Sequence, residues 1–524
     1  VTAASNSQSR WTGTGGSAYA AIMYHMIHAS EPREDTMTTI RTRVAAGDLE
    51  GELNNGLAVF KGIPYATIPA RFAAPAPAPA WDGIRLARSF GPPPPQAGGL
   101  GPSAQTGDEA DWLTANIWSP DLTGALPVLV WIHGGGYLFG RSDLPEYDGA
   151  TLAAGTGDGD GAVVVTVNYR VGFEGFGLLA GMPPNRGLLD QVAALGWVRD
   201  NIAAFGGDPG RVTVFGQSAG GGSIAALLAM PRAAGLFRRA IVQSMSGAYL
   251  TPALATDVTA ACADEIGCAA TEIVAIDPPL LTAAVDAVLA GIDRYAARWG
   301  PAAHAGVPFA PVVDGEVLPT TPWLGLTGAP DLLVGHTRHE QRLFTALTGR
   351  LGQITPEEAD ESARVFAPDP AAYARHFPDP EERFDVVRSD WFFRMPSLKL
   401  AETQVSAGGR CHLYELTWPA PGMGGVLGAC HGLDVPLVFG NLTAGQTALL
   451  IGEPTEEAYA VSAQMRTASL RFARDGDPGW PDFATGATRI FDTHPAVAAY
   501  PEAVSRAIWT HPPAVLDLHV PPGG

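Results

Sequence analysis

The sequence predicts an α/β protein, with a mostly parallel central sheet and helices on both of its faces. Three observations carry that prediction. Short apolar runs of the kind buried in parallel sheets recur along the chain. Segments with helical spacing separate them, and alternating strand and helix demands parallel crossover connections. The composition, 46% hydrophobic and 16% charged over 524 residues, is that of a folded chain able to bury a large core.

Residues 1–36 are polar and rich in Gly and Ser. Their one apolar patch, Ala18 to Ile27, contains Tyr24 and His25, and only Arg10 precedes it. That makes a poor secretory signal. The stretch is expected to be a leader or upstream extension outside the core, and residues 37–524 are expected to form one domain. From Val44 to Tyr65, short strands are broken by Gly-Asp and Asn-Gly turns. Residues 67–103, with Pro92 to Pro95 in a row, read as an irregular surface wrap. Leu126 to His133 and Ala162 to Asn168 are buried strands by their unbroken apolar character. A helical pattern runs from Gly187 to Phe205. Val212 to Phe215 is another buried strand, followed by Gly-rich sequence and the helical run Ser223 to Met230. Arg239 to Gln243, Leu332 to Val334 and His412 to Leu416 continue the sheet. The segments about 252–300 and 341–405 are helix-rich and irregular, and are expected to cap the carboxyl edge of the sheet.

A formal net charge of −20 repels phosphate backbones, so nucleic acid is not an expected partner. No stretch approaches 18 uninterrupted apolar residues, so no membrane insertion by a helix is expected. The four cysteines, Cys262, Cys268, Cys411 and Cys430, form neither a disulfide framework nor a metal motif. Their usage fits a cytoplasmic chain, with free thiols expected and no metal or cofactor. The sequence leaves the oligomeric state open between a monomer and a weak dimer.

The chemistry starts at Gly216-Gln217-Ser218-Ala219-Gly220, which follows a buried strand and precedes a helix. That context is the nucleophile elbow of the α/β-hydrolase fold, a sharp turn that exposes Ser218 Oγ at a helix N-terminus. Gly216 and Gly220 leave room for strand and helix to approach. Upstream, the strand ending at Ile132 runs into His133-Gly134-Gly135-Gly136. Bare N–H groups at that edge suit a developing oxyanion, and Gly135, Gly136 and Ala219 are assigned to hold it. The fold places an acid and then a His downstream of the Ser, each after a strand. His431 follows the strand ending at Leu416 and is chosen over His494, His511 and His519. Glu340 follows the strand Leu332 to Val334 and ranks first as the acid, with Asp434 second. Tyr137, Phe139, Phe173 and Phe393 are candidate substrate contacts, and core packing is an equally ready role for each.

These residues sit in longer stretches that resemble the type-B carboxylesterases, which include cholinesterases and bacterial para-nitrobenzyl esterases. The stretches are Phe60 to Ala66, Trp131 to Gly136, Asn168-Tyr169-Arg170, Asn185 to Ile202, Phe205 to Pro209, Ser218 to Gly221, His431 to Asn441, and Phe472-Ala473-Arg474 with Gly476-Asp477-Pro478. The resemblance covers about residues 42–515. It implies Ser218 as nucleophile, Glu340 as acid, His431 as base, and the same three oxyanion donors. It also implies that Ser244 supports the acid.

Departures from the family matter as well. Gln217 stands where the family usually has Glu, which makes the site less negative and points to neutral esters. His339 and Gln341 replace the Asp and Gly that usually flank the acid. Ala110-Asp111-Trp112 lacks the Cys of secreted relatives, so their disulfide cannot form here. The rim segment Thr67 to Phe72 is short. The expected activity is hydrolysis of small to medium carboxylic esters. The alternatives are amide or carbamate cleavage by the same triad, or a non-catalytic binding member of the fold.

Overall fold

The computed structural model describes residues 38–96, 112–157, 159–445 and 447–519. The expected leader, residues 1–36, lies outside them, as does the Ala110-Asp111 pair. A 13-stranded sheet organises the described residues. Its strands in chain order are β1 (Thr38–Val44), β2 (Gly47–Asn54), β3 (Leu57–Pro64), β4 (Ile84–Leu86), β5 (Thr114–Ser119), β6 (Leu126–Ile132), β7 (Val163–Val167), β8 (Gly207–Gln217), β9 (Arg239–Gln243), β10 (Asp331–Thr337), β11 (Cys411–Leu416), β12 (Ala487–Phe491) and β13 (Ala496–Ala499). Across the sheet they run β1-β2-β3-β5-β7-β6-β8-β9-β10-β11-β12-β13, with β4 beside β2. The pairings from β7 to β12 are parallel, and the flanks on both sides are antiparallel except for β4, which pairs parallel with β2.

Composition explains the centre. All five residues of β7, VVVTV, are buried, as are all five of β9. β-branched side chains buried on both faces suit parallel strands covered by helices. The helices that matter to the site are α1 (Arg186–Asn201), α2 (Ala219–Leu228), α3 (Pro252–Ile266), α4 (Pro278–Ala290), α5 (Glu340–Leu347), α6 (Pro356–Phe366), α7 (Pro380–Ser389), α8 (Met395–Ser406), α9 (Asp434–Phe439) and α10 (Glu456–Asp475).

Two of the boundaries that differ from the sequence expectation have a clear local cause. The helix expected over Gly187 to Phe205 ends as α1 at Asn201 and tightens into a 3-10 turn, Ile202–Phe205, closed by Gly206 at φ 77°. The helix expected from Ser223 begins four residues earlier, at Ala219. Glycine is a poor helix former in isolation, but here contact decides. A Cβ at Gly220 would lie 2.0 Å from the Ile132 carbonyl oxygen. Only a bare helix can lie this close to the end of β6. At the far end of the expected cap segment 341–405, α8 packs on β10 and β11 and so belongs to the helical layer of the sheet.

A buried ion pair ties the loop after β7 to α1. The Arg170 guanidinium donates to Asp190 twice, Nε to Oδ2 at 2.8 Å and Nη2 to Oδ1 at 2.7 Å, and both side chains are fully buried. The Arg170 backbone N–H donates to the same carboxylate. Arg186, also buried, instead donates to the carbonyls of Phe173, Glu174, Gly177 and Pro183. Burial and the neighbouring Arg170 lower its pKa to about 9. Asp190→Asn leaves the Arg170 charge buried without a counter-ion. We expect a loss of about 3–5 kcal/mol of unfolding free energy, read from chemical denaturation. A loss below about 1 kcal/mol would show that the pair is not what fixes this loop.

Candidate active site

Parallel register brings the candidate residues together. Gly216 of β8 pairs with Ile132 of β6, Gln217 with Gln243 of β9, and Gln243 with Gly335 of β10. The next residues along each strand therefore emerge at one edge: His133-Gly134, Ser218, Ser244, and the loop to Glu340. His431 arrives at the same edge after β11, and its neighbour Cys430 bridges to His339.

Ser218 has φ 59° and ψ −124°, a strained conformation for a residue with a side chain. Four backbone bonds hold the turn. Ser218 N donates to Gln243 O, Ser244 N to Gly335 O, and Gly222 N and Ser246 N both to Ser218 O. The side chain is half-buried and reaches solvent. Beside it, Gly135 has φ 114°, and a Cβ there would lie 2.0 Å from the Phe139 carbonyl oxygen. No acceptor among the described residues takes the N–H of Gly135, Gly136 or Ala219. His133 anchors this loop from below. It is buried, its ring stacks on Tyr169 at 4.3 Å, and its Nδ1 lies 2.8 Å from Gly134 O. Burial lowers its pKa to about 4, so it is neutral there.

Glu340 is the first residue of α5 and is fully buried. Its Oε2 lies 2.5 Å from His431 Nδ1, and its Oε1 accepts from Ser244 Oγ at 2.6 Å and from Thr337 N at 2.7 Å. Burial opposes the charge, but His431, the Ser244 hydroxyl and the Thr337 N–H outweigh it and hold the carboxyl below the ordinary range. Glu340 thus stays ionised, and its stabilising contribution is lost only in acid. A carboxylate only accepts, so Nδ1 of His431 carries the hydrogen and the neutral ring keeps its lone pair on Nε2. That Nε2 lies 3.0 Å from Gln217 Nε2.

Asp434, the second-ranked acid, has other partners. Its Oδ2 accepts from Gln243 Nε2 at 3.0 Å and from Tyr414 Oη at 3.3 Å. Among the aromatic candidates, Phe393 lies in a π-helical turn, Asp390–Arg394, with its ring 4.1 Å from that of His431. Phe344, which the sequence reading missed, lies 5.2 Å from the same ring. The available signal was its place one helical turn after Glu340. Phe139 is half-buried beside Gly135. Phe173 packs between Phe72 and Phe309. Tyr137 is buried against Phe176 and the backbone of α2, so its side chain faces the core. The four cysteines are free thiols, and no group of His, Cys, Asp or Glu among the described residues could hold a metal. No described helix is long and apolar enough to cross a membrane.

A family model described as the carboxylesterase family matches residues 36–497. The chain belongs to that family. A para-nitrobenzyl esterase of Bacillus subtilis (strain 168) is 35% identical over 88% of this carboxylesterase and 96% of its own length. A phenmedipham hydrolase of Pseudarthrobacter oxydans is 35% identical over 84% of this chain and 92% of its own. The crystal structure of a Geobacillus stearothermophilus carboxylesterase at pH 6.2 superposes with a TM-score of 0.78. It is 35% identical and covers 90% of this chain and 100% of that one. The α/β-hydrolase fold and an activity as a carboxylic-ester hydrolase follow from these likenesses.

Asp434 gives this carboxylesterase a pH signature. Burial first, then the nearby Glu340 charge, raise its pKa to about 6. The neutral acid is the form the fold prefers. Its contribution is full below the ordinary Asp pKa of about 4, and it is lost as pH rises to about 6. Asp434→Asn imitates the neutral acid. Its stability relative to wild type is expected to rise by up to about 3 kcal/mol between pH 4 and 7, measured by denaturant unfolding at each pH. Parallel stability curves for the two proteins would refute the buried, neutral Asp434.

Proposed function

We propose that this carboxylesterase is a serine hydrolase that cleaves small to medium neutral esters through an acyl-enzyme. The observation that carries the reading is the Glu340–His431 contact at 2.5 Å beside a strained, solvent-reaching Ser218. His431 Nε2 takes the proton of Ser218 Oγ as that oxygen attacks the ester carbonyl. The oxyanion is held by the N–H groups of Gly135, Gly136 and Ala219. As the tetrahedral adduct collapses, the C–O bond to the alcohol breaks and His431 returns its proton to the leaving oxygen. Water then attacks the acyl-Ser218 ester by the same sequence, releasing the acid and restoring Ser218. Glu340 keeps the ring in the Nδ1–H tautomer and stabilises the imidazolium. Neutral esters are favoured because Gln217, 3.0 Å from Nε2 of the base, is an uncharged amide. The acidic groups close by, Glu340 and Asp434, are fully buried.

A neutral fluorophosphonate is expected to label wild type at Ser218, and Ser218→Ala to lose both the label and the hydrolysis of short-chain nitrophenyl esters. Glu340→Gln is expected to lower kcat by about 10³–10⁴-fold, while Asp434→Asn retains most of it. Full activity in Ser218→Ala would overturn the mechanism. Faster turnover of a matched nitroanilide than of the nitrophenyl ester would move the assignment to amide cleavage.

A further inference from the structure

His431 has one lone pair with which to act as a base, and in this structure its hydrogen-bond partner there is Gln217. Glu340 fixes the hydrogen on Nδ1, which leaves Nε2 as the acceptor. Gln217 Nε2 lies 3.0 Å from it, in hydrogen-bond range, and the Gln217 side chain is buried. Ser218 Oγ makes no hydrogen bond among the described residues, although it follows Gln217 directly in the elbow. The other end of the amide faces the oxyanion loop. Gln217 Oε1 lies 3.3 Å from where a Cβ on Gly134 would stand. The amide is therefore lodged between the loop that holds the oxyanion and the ring that holds the proton.

We propose that Gln217 is a positioning residue that occupies the His431 lone pair in the resting enzyme, so that its amide must turn away before Ser218 can be deprotonated. The inference rests on the serine mechanism proposed above. An amide N–H pointed at Nε2 is compatible only with the neutral ring. Once Nε2 carries the proton of Ser218, the same N–H opposes it. Rotating the amide presents Oε1 as an acceptor and removes the conflict. Gln217 thus slows the first proton transfer and, after turning, steadies the imidazolium. A carboxylate here would accept in every state and would favour the charged ring throughout. The titratable groups that face the ring are Glu340 at the start of α5 and Asp434 at the start of α9, with Cys430 next in the chain. Phe344 and Phe393 supply its apolar walls.

The test is the rate at which a neutral fluorophosphonate inactivates wild type, Gln217→Leu and Gln217→Glu across pH. Leu is one atom shorter, is apolar and removes the donor. Its inactivation rate at neutral pH is expected to rise by about two- to tenfold, the range of one net hydrogen bond. Gln217→Glu is expected to shift the acid limb of the inactivation profile upward by about one pH unit, through the new charge beside His431. Gln217→Leu does not supply that charge and leaves the limb near its wild-type position. A merely structural role would slow both variants and move neither limb upward. An unchanged or slower Gln217→Leu, or a Gln217→Glu limb that stays in place, overturns the inference. A wild-type enzyme that is never labelled at Ser218 fails the serine mechanism instead.

Discussion

A buried carboxylate is tolerable only when every lone pair that matters has a partner, and Glu340 meets that condition. Its two oxygens take three donors from three separate parts of the chain: Ser244 after β9, Thr337 at the end of β10, and His431 beyond β11. Each bond satisfies the charge and also locates a piece of backbone. Without the Ser244 hydroxyl the loop after β9 loses its tie to the acid, and without Glu340 the ring of His431 has no fixed tautomer. The candidate triad is thus a structural knot as much as a chemical one. Remote groups such as Arg170–Asp190 act one layer further out, holding the loop behind α1.

The parallel sheet makes this knot possible. Strands β6, β8, β9 and β10 are neighbours and end together, so residues more than two hundred positions apart along the chain meet at one edge. The closeness of α2 to β6, enforced by Gly220, then sets Ser218 against the loop at Gly134. Backbone pairing, more than side-chain packing, determines the spacing.

Much of this was legible in the sequence. Apolar runs announced the strands at the sheet centre, and the Gly216 to Gly220 turn announced the elbow, because both depend on local composition and backbone geometry. Glu340 and His431 could be ranked by chain order and by their places after strands. What stayed hidden depends on side-chain direction across long separations. Gln217 could be read as a missing charge but not as a partner of His431, 214 positions away. Tyr137 looked like a pocket residue beside three glycines, yet its positive φ of 61° accompanies a side chain packed into the core. Phe344 went unnoticed because its one mark, a place one helical turn after Glu340, counts only once that short helix is known. The helix start at Ala219 was missed because propensity disfavours glycine, and tertiary contact overruled it.

The strand ladder that gathers these residues is distinct from the helices around it, apart from α5, which begins at Glu340. Helices α3, α4, α6 and α7 and the loops near Phe139 and Phe173 contribute none of the hydrogen bonds that join Ser244, Thr337 and His431 to Glu340. The bonds that gather these residues and the outer helices are therefore written in different parts of the chain. On the serine mechanism proposed above, drift in those helices leaves the proton-transfer geometry unchanged. A scaffold divided in this way can diversify its diet without relearning its reaction.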